Sequence, residues 1–330
     1  MSLVEHVLES GTRGLVAMAD RLTSAKLSIL IFHRVHARPD PLFPEEMSAE
    51  RFNSLCRWLR ASFNVMSLGP ALGRLRAGML PSRALSITFD DGYADNAEVA
   101  VPILRDHGLR ATFFIATGFL DGGRMFNDTV IECLRNTSCE SIELADLGLG
   151  RRDLRTAAQR RGVIDELLPR FKHLQLHERQ TALQTLLALA RQPQLASGLM
   201  MRSGQVQEVH CAGMEIGGHT VNHPILKVLS DAEAASEITQ GRRSLEQLIQ
   251  GPVDYFAYPN GRPTLDYGAR DVALIRRLGF KGAVTTAPGA IDGAADQFQL
   301  PRFTPWDKGR AKWLMRLALT RAKGGKPAVV

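Results

Sequence analysis

The chain has 330 residues, 45% of them hydrophobic, which is enough to bury one large core and predicts a single main domain. Residues 301–330 hold eight Lys or Arg and one Asp, so the whole formal net charge of +7 lies in this tail, a distribution that argues against a nucleic-acid-binding groove. No uncharged run approaches the roughly 18 residues of a membrane-spanning helix, and the four cysteines lack both metal-binding spacing and the density of a disulfide scaffold.

The N-terminal segment, residues 1–26, is predicted to be helical and to carry no export signal. Glu5 and Glu9 stand where a secretory signal has basic residues, and no apolar stretch precedes Lys26. We therefore expect a cytoplasmic protein.

Short apolar runs alternate with helix-like stretches along residues 27–308. This alternation is typical of parallel strands joined by crossover helices, and it predicts an α/β barrel of about seven or eight strands. Residues 48–61, 231–250 and 265–278 have the apolar spacing of helices. The predicted strands are residues 27–32, 64–68, 84–89, 111–116, 214–218, 254–258, 281–285 and 297–300.

Two segments depart from that alternation. Residues 121–207 are rich in Leu, Ala, Arg and Gln and contain no convincing strand, so we interpret them as a helical insertion into the barrel. Residues 309–330 form a basic amphipathic tail that includes Trp313. Such a tail suits peripheral contact with an anionic membrane surface, and it equally suits a helix that covers the barrel with a basic outer face. Both interpretations stay open.

Polar side chains follow four of the predicted strands. Asp90 and Asp91 come directly after residues 84–89, and His219 comes after residues 214–218. His33 and Asn260 stand at the ends of two further apolar runs. Because the functional groups of a parallel α/β barrel lie at the C-terminal ends of its strands, we expect all of these side chains on one rim.

His219 and His223 are the strongest candidates for metal ligands. They are four residues apart, which places both on one helical face or on a tight turn after the strand. Two histidines and one carboxylate give the three-ligand site with an open position that is typical of hydrolytic zinc. Adjacent side chains after a strand point different ways, so one of Asp90 and Asp91 can bind the metal while the other reaches the water. An Asp-Asp-Gly alone is more typical of a capping turn, but with the histidine pair it favours a metal hydrolase.

The two motifs together resemble the polysaccharide deacetylase family, the NodB-homology group of carbohydrate esterases. They are Thr-Phe-Asp-Asp-Gly at residues 88–92 and His-Thr-Val-Asn-His-Pro at residues 219–224, and the resemblance extends over roughly residues 26–305. It implies a distorted (β/α) barrel that removes acetyl groups from N-acetylated sugars with a divalent metal. The metal is usually zinc, with cobalt, nickel or manganese as alternatives.

The resemblance also implies a role for each residue of the two motifs. In the family the first Asp is the general base and the second binds the metal. Asp90 is therefore expected to be the base, and Asp91, His219 and His223 are expected to be the metal ligands. A metal beside Asp90 would also help to keep that carboxylate ionised.

The third motif of the family departs here from its usual form. The family has an Arg near the base in an Arg-Pro-Pro-Tyr-Gly-like string, whereas residues 256–261 read Phe-Ala-Tyr-Pro-Asn-Gly, with Ala257 in place of the Arg. The backbone N–H of Asn260 can still hydrogen-bond a tetrahedral oxyanion. Arg302, after the last predicted strand, is our candidate for orienting Asp90, with a helix-end or surface charge as the alternative.

The C-terminal catalytic histidine of the family, which follows an apolar strand in a Leu-x-x-His pattern, is also missing from its usual place. Residues 27–33 end in that pattern, so the barrel resembles a circularly permuted subgroup that includes deacetylases of poly-N-acetylglucosamine. His33 is then expected to be the general acid that protonates the leaving amine. The alternative is a buried histidine at a strand end whose side chain bonds the backbone.

A second histidine pair, His173 and His177, lies inside the predicted insertion. No carboxylate stands at a suitable spacing from it. The pair is therefore more consistent with a solvated helix face than with a rival metal site.

The expected activity is hydrolysis of the N-acetyl amide of a hexosamine, giving acetate and a free amine. Because no export signal is predicted, the expected substrate is a cytoplasmic or lipid-linked glycan made during surface-polysaccharide assembly. Two alternatives stay open. One is another metal-dependent amidase that uses the same residues, and the other is a glycan-binding pseudoenzyme, which the missing Arg and the displaced His both suggest.

Overall fold

The computed structural model describes residues 26–305, 310–323 and 330. The helix predicted for residues 1–26 lies outside the described residues, except for Lys26. Within the described ranges the chain forms a parallel sheet surrounded by helices and a separate two-stranded antiparallel sheet. The described strands are β1 (Ser28–Phe32), β2 (Asn64–Val65), β3 (Ala84–Phe89), β4 (Thr112–Ile115), β5 (Ser141–Glu143), β6 (Arg151–Asp153), β7 (Glu215–Gly218), β8 (Tyr255–Ala257) and β9 (Gly282–Val284).

The parallel sheet has seven strands in the described part of the chain. Six of them follow the order β1-β3-β4-β7-β8-β9, while β2 pairs with the start of β3. All residues of β1 and β3 are buried, and their apolar runs do not alternate with exposed polar residues. This pattern is expected of parallel strands that are covered on both faces, as the strands of an α/β barrel are. The predicted α/β barrel architecture is confirmed.

Helices pack around the sheet, and short sequence signals mark where several of them begin. Ser48 accepts a hydrogen bond from the Arg51 N–H at the start of α1, and Ser230 forms a reciprocal capping box with Glu233 at the start of α8. The described helices are α1 (Ala49–Ser62), α2 (Leu68–Arg76), α3 (Val101–Asp106), α4 (Phe126–Asn136), α5 (Ala157–Lys172), α6 (Leu176–Leu189), α7 (Ser203–Cys211), α8 (Asp231–Ile249), α9 (Ala269–Arg277) and α10 (Arg310–Lys323).

Aromatic rings connect the first strands to α1 in the main core. The Phe89 ring stacks on Phe113 at 4.8 Å between centroids, and it contacts Phe32 at 5.3 Å and Phe52 at 5.7 Å. Each of these rings is nearly or fully buried. Contacts of this kind add about 0.5–1.5 kcal/mol to the burial of the rings. They fix the ends of β1 and β3 relative to each other, directly below the rim.

The segment around residues 300–303 joins the two edges of the sheet. Leu300 forms a single bridge with Val284 of β9, and Phe303 forms a single bridge with Leu30 of β1. The prediction of a regular strand at residues 297–300 is therefore wrong, because only isolated bridges form there. These bridges still close the barrel, and they place Arg302 between the first strand and the last.

The segment predicted as an insertion, residues 121–207, has its own buried apolar cluster, formed by residues such as Val130, Leu167 and Leu186. It contains α4, α5 and α6, but also the hairpin β5–β6, so the prediction that it lacks strands is wrong. Its last part, α7, packs on the barrel, where Gln207 donates a hydrogen bond to the Leu248 carbonyl of α8.

Helix α10 covers one side of the barrel. Trp313 is 4% exposed and meets Trp58 edge-on at 4.7 Å, and Leu317 is also buried. Trp313 is therefore not available to a membrane surface, whereas Met315 and Leu319 are exposed. Among the described residues, no helix combines the length and the apolar character needed to span a bilayer.

Candidate active site

The C-terminal ends of the strands meet at a cleft of about 480 Å³. The register Phe32↔Phe89 places the residue after β1 beside the residue after β3, and the Asp90 N–H donates to the Phe32 carbonyl at 2.9 Å. The register Ile115↔Gly218 brings the end of β7 to the same level. Six of the seven predicted site residues line the cleft, namely His33, Asp90, Asp91, His219, His223 and Asn260.

Asp91, His219 and His223 form a compact cluster of potential metal ligands. One ligand atom from each residue lies within 4.8 Å of the others, and Asp91 Oδ1 is 3.4 Å from the Nε2 atom of each histidine. Ligands at about 2.0–2.1 Å from a tetrahedral ion would lie roughly 3.3 Å apart. Asp91 Oδ1 is buried and has no hydrogen-bond partner among the described residues. These residues fit a divalent metal.

The protonation of the two histidines also suits metal binding. His219 Nδ1 lies 2.7 Å from the Ala257 carbonyl oxygen, so this nitrogen donates and the Nε2 lone pair faces Asp91. Burial lowers the pKa of His223 to about 3, which keeps that imidazole neutral, the form that binds metals. The pKa of His219 is raised, because its contact with Asp91 and the charges of both carboxylates outweigh burial. A proton and a metal would therefore compete for His219 Nε2.

Four residues at the rim have left-handed backbone conformations that side chains normally avoid. The φ angles are 77° at Asp91, 67° at Thr220, 51° at His223 and 60° at Asn260. Each such residue costs of order 1–3 kcal/mol, and strain of this kind concentrates at functional sites. The surrounding structure must hold these residues in place.

Helix α8 holds the loop that carries the two histidines. Glu237 accepts hydrogen bonds from the N–H groups of Val221 and Asn222 at 3.0 and 2.8 Å, and from the Asn222 side chain at 2.7 Å. One turn further along α8, a Cβ added to Gly241 would lie 2.8 Å from the Thr220 carbonyl oxygen. The sequence reasoning missed both Glu237 and Gly241, since neither belongs to a motif.

Arg302 and Asp90 form a buried, bidentate ion pair. Arg302 donates to Asp90 Oδ1 at 2.7 Å and to Oδ2 at 2.6 Å, and it also donates to the Thr285 carbonyl at 2.8 Å. Burial acts to raise the pKa of Asp90, but the charge and hydrogen bonds of Arg302 outweigh burial and lower it. Asp90 is thus ionised at neutral pH. The surface or helix-end alternative for Arg302 is wrong, because its side chain is 0% exposed.

Asn260 lines the cleft at the turn after β8. The Asn260 carbonyl accepts a hydrogen bond from the Thr286 hydroxyl at 2.8 Å, and the next residue, Gly261, donates to the Pro259 carbonyl at 2.7 Å. Among the described residues, the Asn260 N–H has no hydrogen-bond acceptor. This turn therefore leaves the N–H of a cleft-lining residue without an acceptor, although the preceding strand carries Ala257 instead of Arg.

His33 is an exposed side chain at the end of the first strand, so the alternative of a buried, backbone-bonded histidine is wrong. Its position is fixed through its backbone, because the His33 carbonyl accepts a hydrogen bond from the Asn96 side chain at 2.9 Å. His33 is also close enough to Asp90 and Asp91 for its charge to lower the pKa of both carboxylates. The base candidate and the acid candidate thus face one cleft.

The other histidine pair does not form a site. His173 lies at the C-terminal end of α5 and His177 in the first turn of α6, so they do not share one helix. Both side chains are exposed, and neither joins a cluster of metal-binding groups within the described ranges.

Comparisons with known proteins show which proteins this chain resembles. A model of the polysaccharide deacetylase family matches residues 77–147 and 175–283, together more than half of the chain. YxkH of Bacillus subtilis (strain 168), a polysaccharide deacetylase by name, is 21% identical over 280 residues, which cover 84% of this chain and 71% of YxkH.

Two solved structures share the fold. Deacetylase PplD of Streptococcus pyogenes, in complex with acetate, is 20% identical with a TM-score of 0.59, and the match covers 91% of this chain and 99% of PplD. IcaB from Ammonifex degensii is 18% identical with a TM-score of 0.57, and the match covers 91% of this chain and 98% of IcaB. The expected distorted (β/α) barrel is therefore confirmed.

Proposed function

Because the chain belongs to the polysaccharide deacetylase family, we propose that it hydrolyses the N-acetyl amide of an N-acetylhexosamine unit in a glycan, releasing acetate and a free amine. The observation that carries this proposal is the ionised Asp90, paired with Arg302, beside a three-ligand cluster and His33 in one cleft. A base, an acid and a metal-binding cluster at one rim are the groups that amide hydrolysis requires.

Asp91, His219 and His223 would hold the divalent metal. One carboxylate and two imidazoles favour zinc, with cobalt, nickel and manganese as alternatives. When bound, such an ion supplies Lewis-acid polarisation of the amide carbonyl.

The remaining steps belong to side chains and backbone of this chain. Asp90 accepts a proton from the attacking water, whose oxygen bonds to the amide carbon. The Asn260 N–H donates to the oxyanion that develops on the former carbonyl oxygen. His33 then delivers a proton to the nitrogen as the C–N bond breaks, so the amine leaves in neutral form. Arg302 keeps Asp90 ionised and fixes its orientation throughout.

The proposed substrate is a polysaccharide, an oligosaccharide or a lipid-linked glycan precursor that is handled in the cytoplasm during exopolysaccharide biosynthesis. The sequence feature that supports contact with an anionic membrane surface is the basic tail. Peripheral contact of α10 with the inner face of the membrane is part of the same proposal, and it rests on the exposed Met315 and Leu319.

Acetate release from a panel of N-acetylhexosamine glycans, free and lipid-linked, tests the proposed function. The panel is run with purified protein supplemented with zinc, and the Asp90→Asn variant is the inactive control. Acetate is expected from at least one glycan with wild type and from none with the variant. Cleavage of peptides without acetate release would instead indicate another amidase, and binding of glycans without any metal or turnover would indicate a pseudoenzyme.

A further inference from the structure

The cleft has one wall that the proposed chemistry does not use. The end of α5 forms this wall with Leu168, Pro169 and Lys172, and Arg262 faces the same cleft from the loop after β8. Arg262 follows Asn260 by two residues, so the wall begins next to the proposed oxyanion position. A group bound there would belong to a sugar unit adjoining the one that reacts.

The wall has an excess of positive charge. Lys172 Nζ lies 3.3 Å from Asp266 Oδ1, and Arg262 Nε lies 3.4 Å from Asp266 Oδ2. Asp266 is fully buried behind the wall and does not line the cleft. Two cations thus share one carboxylate.

The other charges of the cleft do not offset this excess. Asp90 is neutralised by Arg302, and Asp91 belongs to the metal-binding cluster. Burial acts to lower the pKa of Lys172, and the charge of Arg262 lowers it further, while Asp266 opposes both effects. An anion at this wall would therefore relieve repulsion between Lys172 and Arg262.

On the premise of the deacetylase function, we propose that Arg262 and Lys172 form an anion subsite for a phosphate or carboxylate group on the glycan, one sugar unit from the acetamide that reacts. The Arg262 side chain is 53% exposed, so its guanidinium can offer a bidentate fork to a planar carboxylate or to a phosphate. Lys172 adds a compact positive charge from the end of α5. The subsite selects acidic glycans over neutral ones.

Matched substrates measure this selection directly. Acetate release is followed for a neutral N-acetylglucosamine disaccharide, for the same disaccharide with a phosphate on its anomeric position, and for a disaccharide that joins N-acetylglucosamine to a uronic acid. Wild type should show a higher kcat/KM for at least one acidic substrate than for the neutral one. Arg262→Gln should reduce that ratio about 10–100-fold, because it removes hydrogen bonds to a charged group. The loss should appear mainly in KM.

A matched control separates the local effect from the loss of a charge. Arg57, exposed on α1 and outside the cleft, has no ion-pair partner among the described residues. Arg57→Gln should leave the ratio unchanged. Lys172→Gln should also lower the ratio, and its thermal unfolding shows whether the fold survives the loss of the contact with Asp266.

The outcomes distinguish the subsite from the activity on which it rests. An equal ratio in wild type and Arg262→Gln, with acetate still released, overturns the anion subsite and leaves the proposed function standing. A drop confined to the phosphorylated substrate, or to the uronic acid, supports the subsite and identifies its ligand. If no substrate releases acetate, calorimetry still tests the subsite by comparing the affinities of the protein for the phosphorylated and the neutral disaccharide. Equal affinities overturn the anion subsite.

Discussion

Replacing Arg302 with Met tests how Asp90 is kept ionised. In the wild type, the guanidinium bonds the carboxylate at 2.7 and 2.6 Å, and the two residues are 1% and 2% exposed. Removing one partner of such a pair leaves an uncompensated buried charge, which costs about 3–5 kcal/mol. The Coulomb energy of two opposite unit charges about 4 Å apart, with an effective dielectric constant near 20, is also about 4 kcal/mol. We therefore expect Arg302→Met to lose about 3–5 kcal/mol of unfolding free energy at neutral pH.

The size of this loss should depend on pH. The pKa of Asp90 is lowered in the folded wild type. The ion pair therefore stabilises the fold fully at pH values above the pKa of an unfolded Asp, about 3.9. This stabilisation is lost as the pH falls through the lower pKa of the folded state. In Arg302→Met, burial becomes the dominant influence and raises the pKa of Asp90. Acidification then neutralises the unpaired carboxylate, so the deficit of the variant should shrink as the pH falls.

Urea unfolding of three proteins checks this reasoning. Wild type, Arg302→Met and the double variant Arg302→Met/Asp90→Asn are compared at about pH 8 and about pH 5. The single variant should show a smaller deficit at the lower pH, and the double variant should recover much of the lost stability. An equal deficit at both pH values, with no recovery in the double variant, would refute the argument that Arg302 compensates a buried charge.

Three further perturbations test other parts of the site. Asp91→Asn should abolish stoichiometric zinc binding, measured by metal analysis, because it removes the carboxylate of the ligand cluster. His33→Ala should retain zinc but lower turnover about 10²–10⁴-fold, measured as acetate release, since it removes the proposed general acid. Gly241→Ala should weaken zinc affinity about 10–100-fold in a competition titration, because the added Cβ would push against the Thr220 carbonyl and move the histidine loop. Zinc retained by Asp91→Asn would reject the ligand set, and near-normal turnover of His33→Ala would reject that residue as the acid. Gly73→Ala on α2, where an added Cβ meets nothing within 4 Å, is the glycine control, and equal zinc affinity in both glycine variants would contradict the role of α8.

The barrel and its rim could be predicted from sequence because fully buried strands leave a clear pattern. The apolar run at residues 27–32 became β1, and the run at residues 84–89 became β3 with the same bounds. Parallel strands place their C-terminal ends at one edge, so the polar residue after each run is expected at the same rim. The position of Arg302 after the last apolar run predicts that it orients Asp90, and in the structure Arg302 donates a hydrogen bond to Asp90.

Other features could not be predicted, because they depend on contacts between distant parts of the chain. Strands β5 and β6 are three residues each and largely polar, and Ile142 is the one buried residue among them. Glu237, on an amphipathic helix, accepts a hydrogen bond from the histidine loop. Charged residues are common on such a helix, so the sequence does not distinguish Glu237 from the others. Lys172 and Arg262 both form an ion pair with Asp266, and no local sequence pattern predicts these contacts.

The way the barrel closes has a consequence for the order of folding. Arg302 reaches Asp90 across 212 positions of sequence, and Phe303 must bridge to the first strand before the sheet edges are joined. Contacts of such high sequence separation form slowly, because the intervening chain has to be ordered first. During synthesis, Asp91, His219 and His223 leave the ribosome well before Arg302 does. Until residues 300–303 have joined the first strand, Asp90 therefore lacks the guanidinium that holds it, and the rim is complete only when the last part of the barrel has folded.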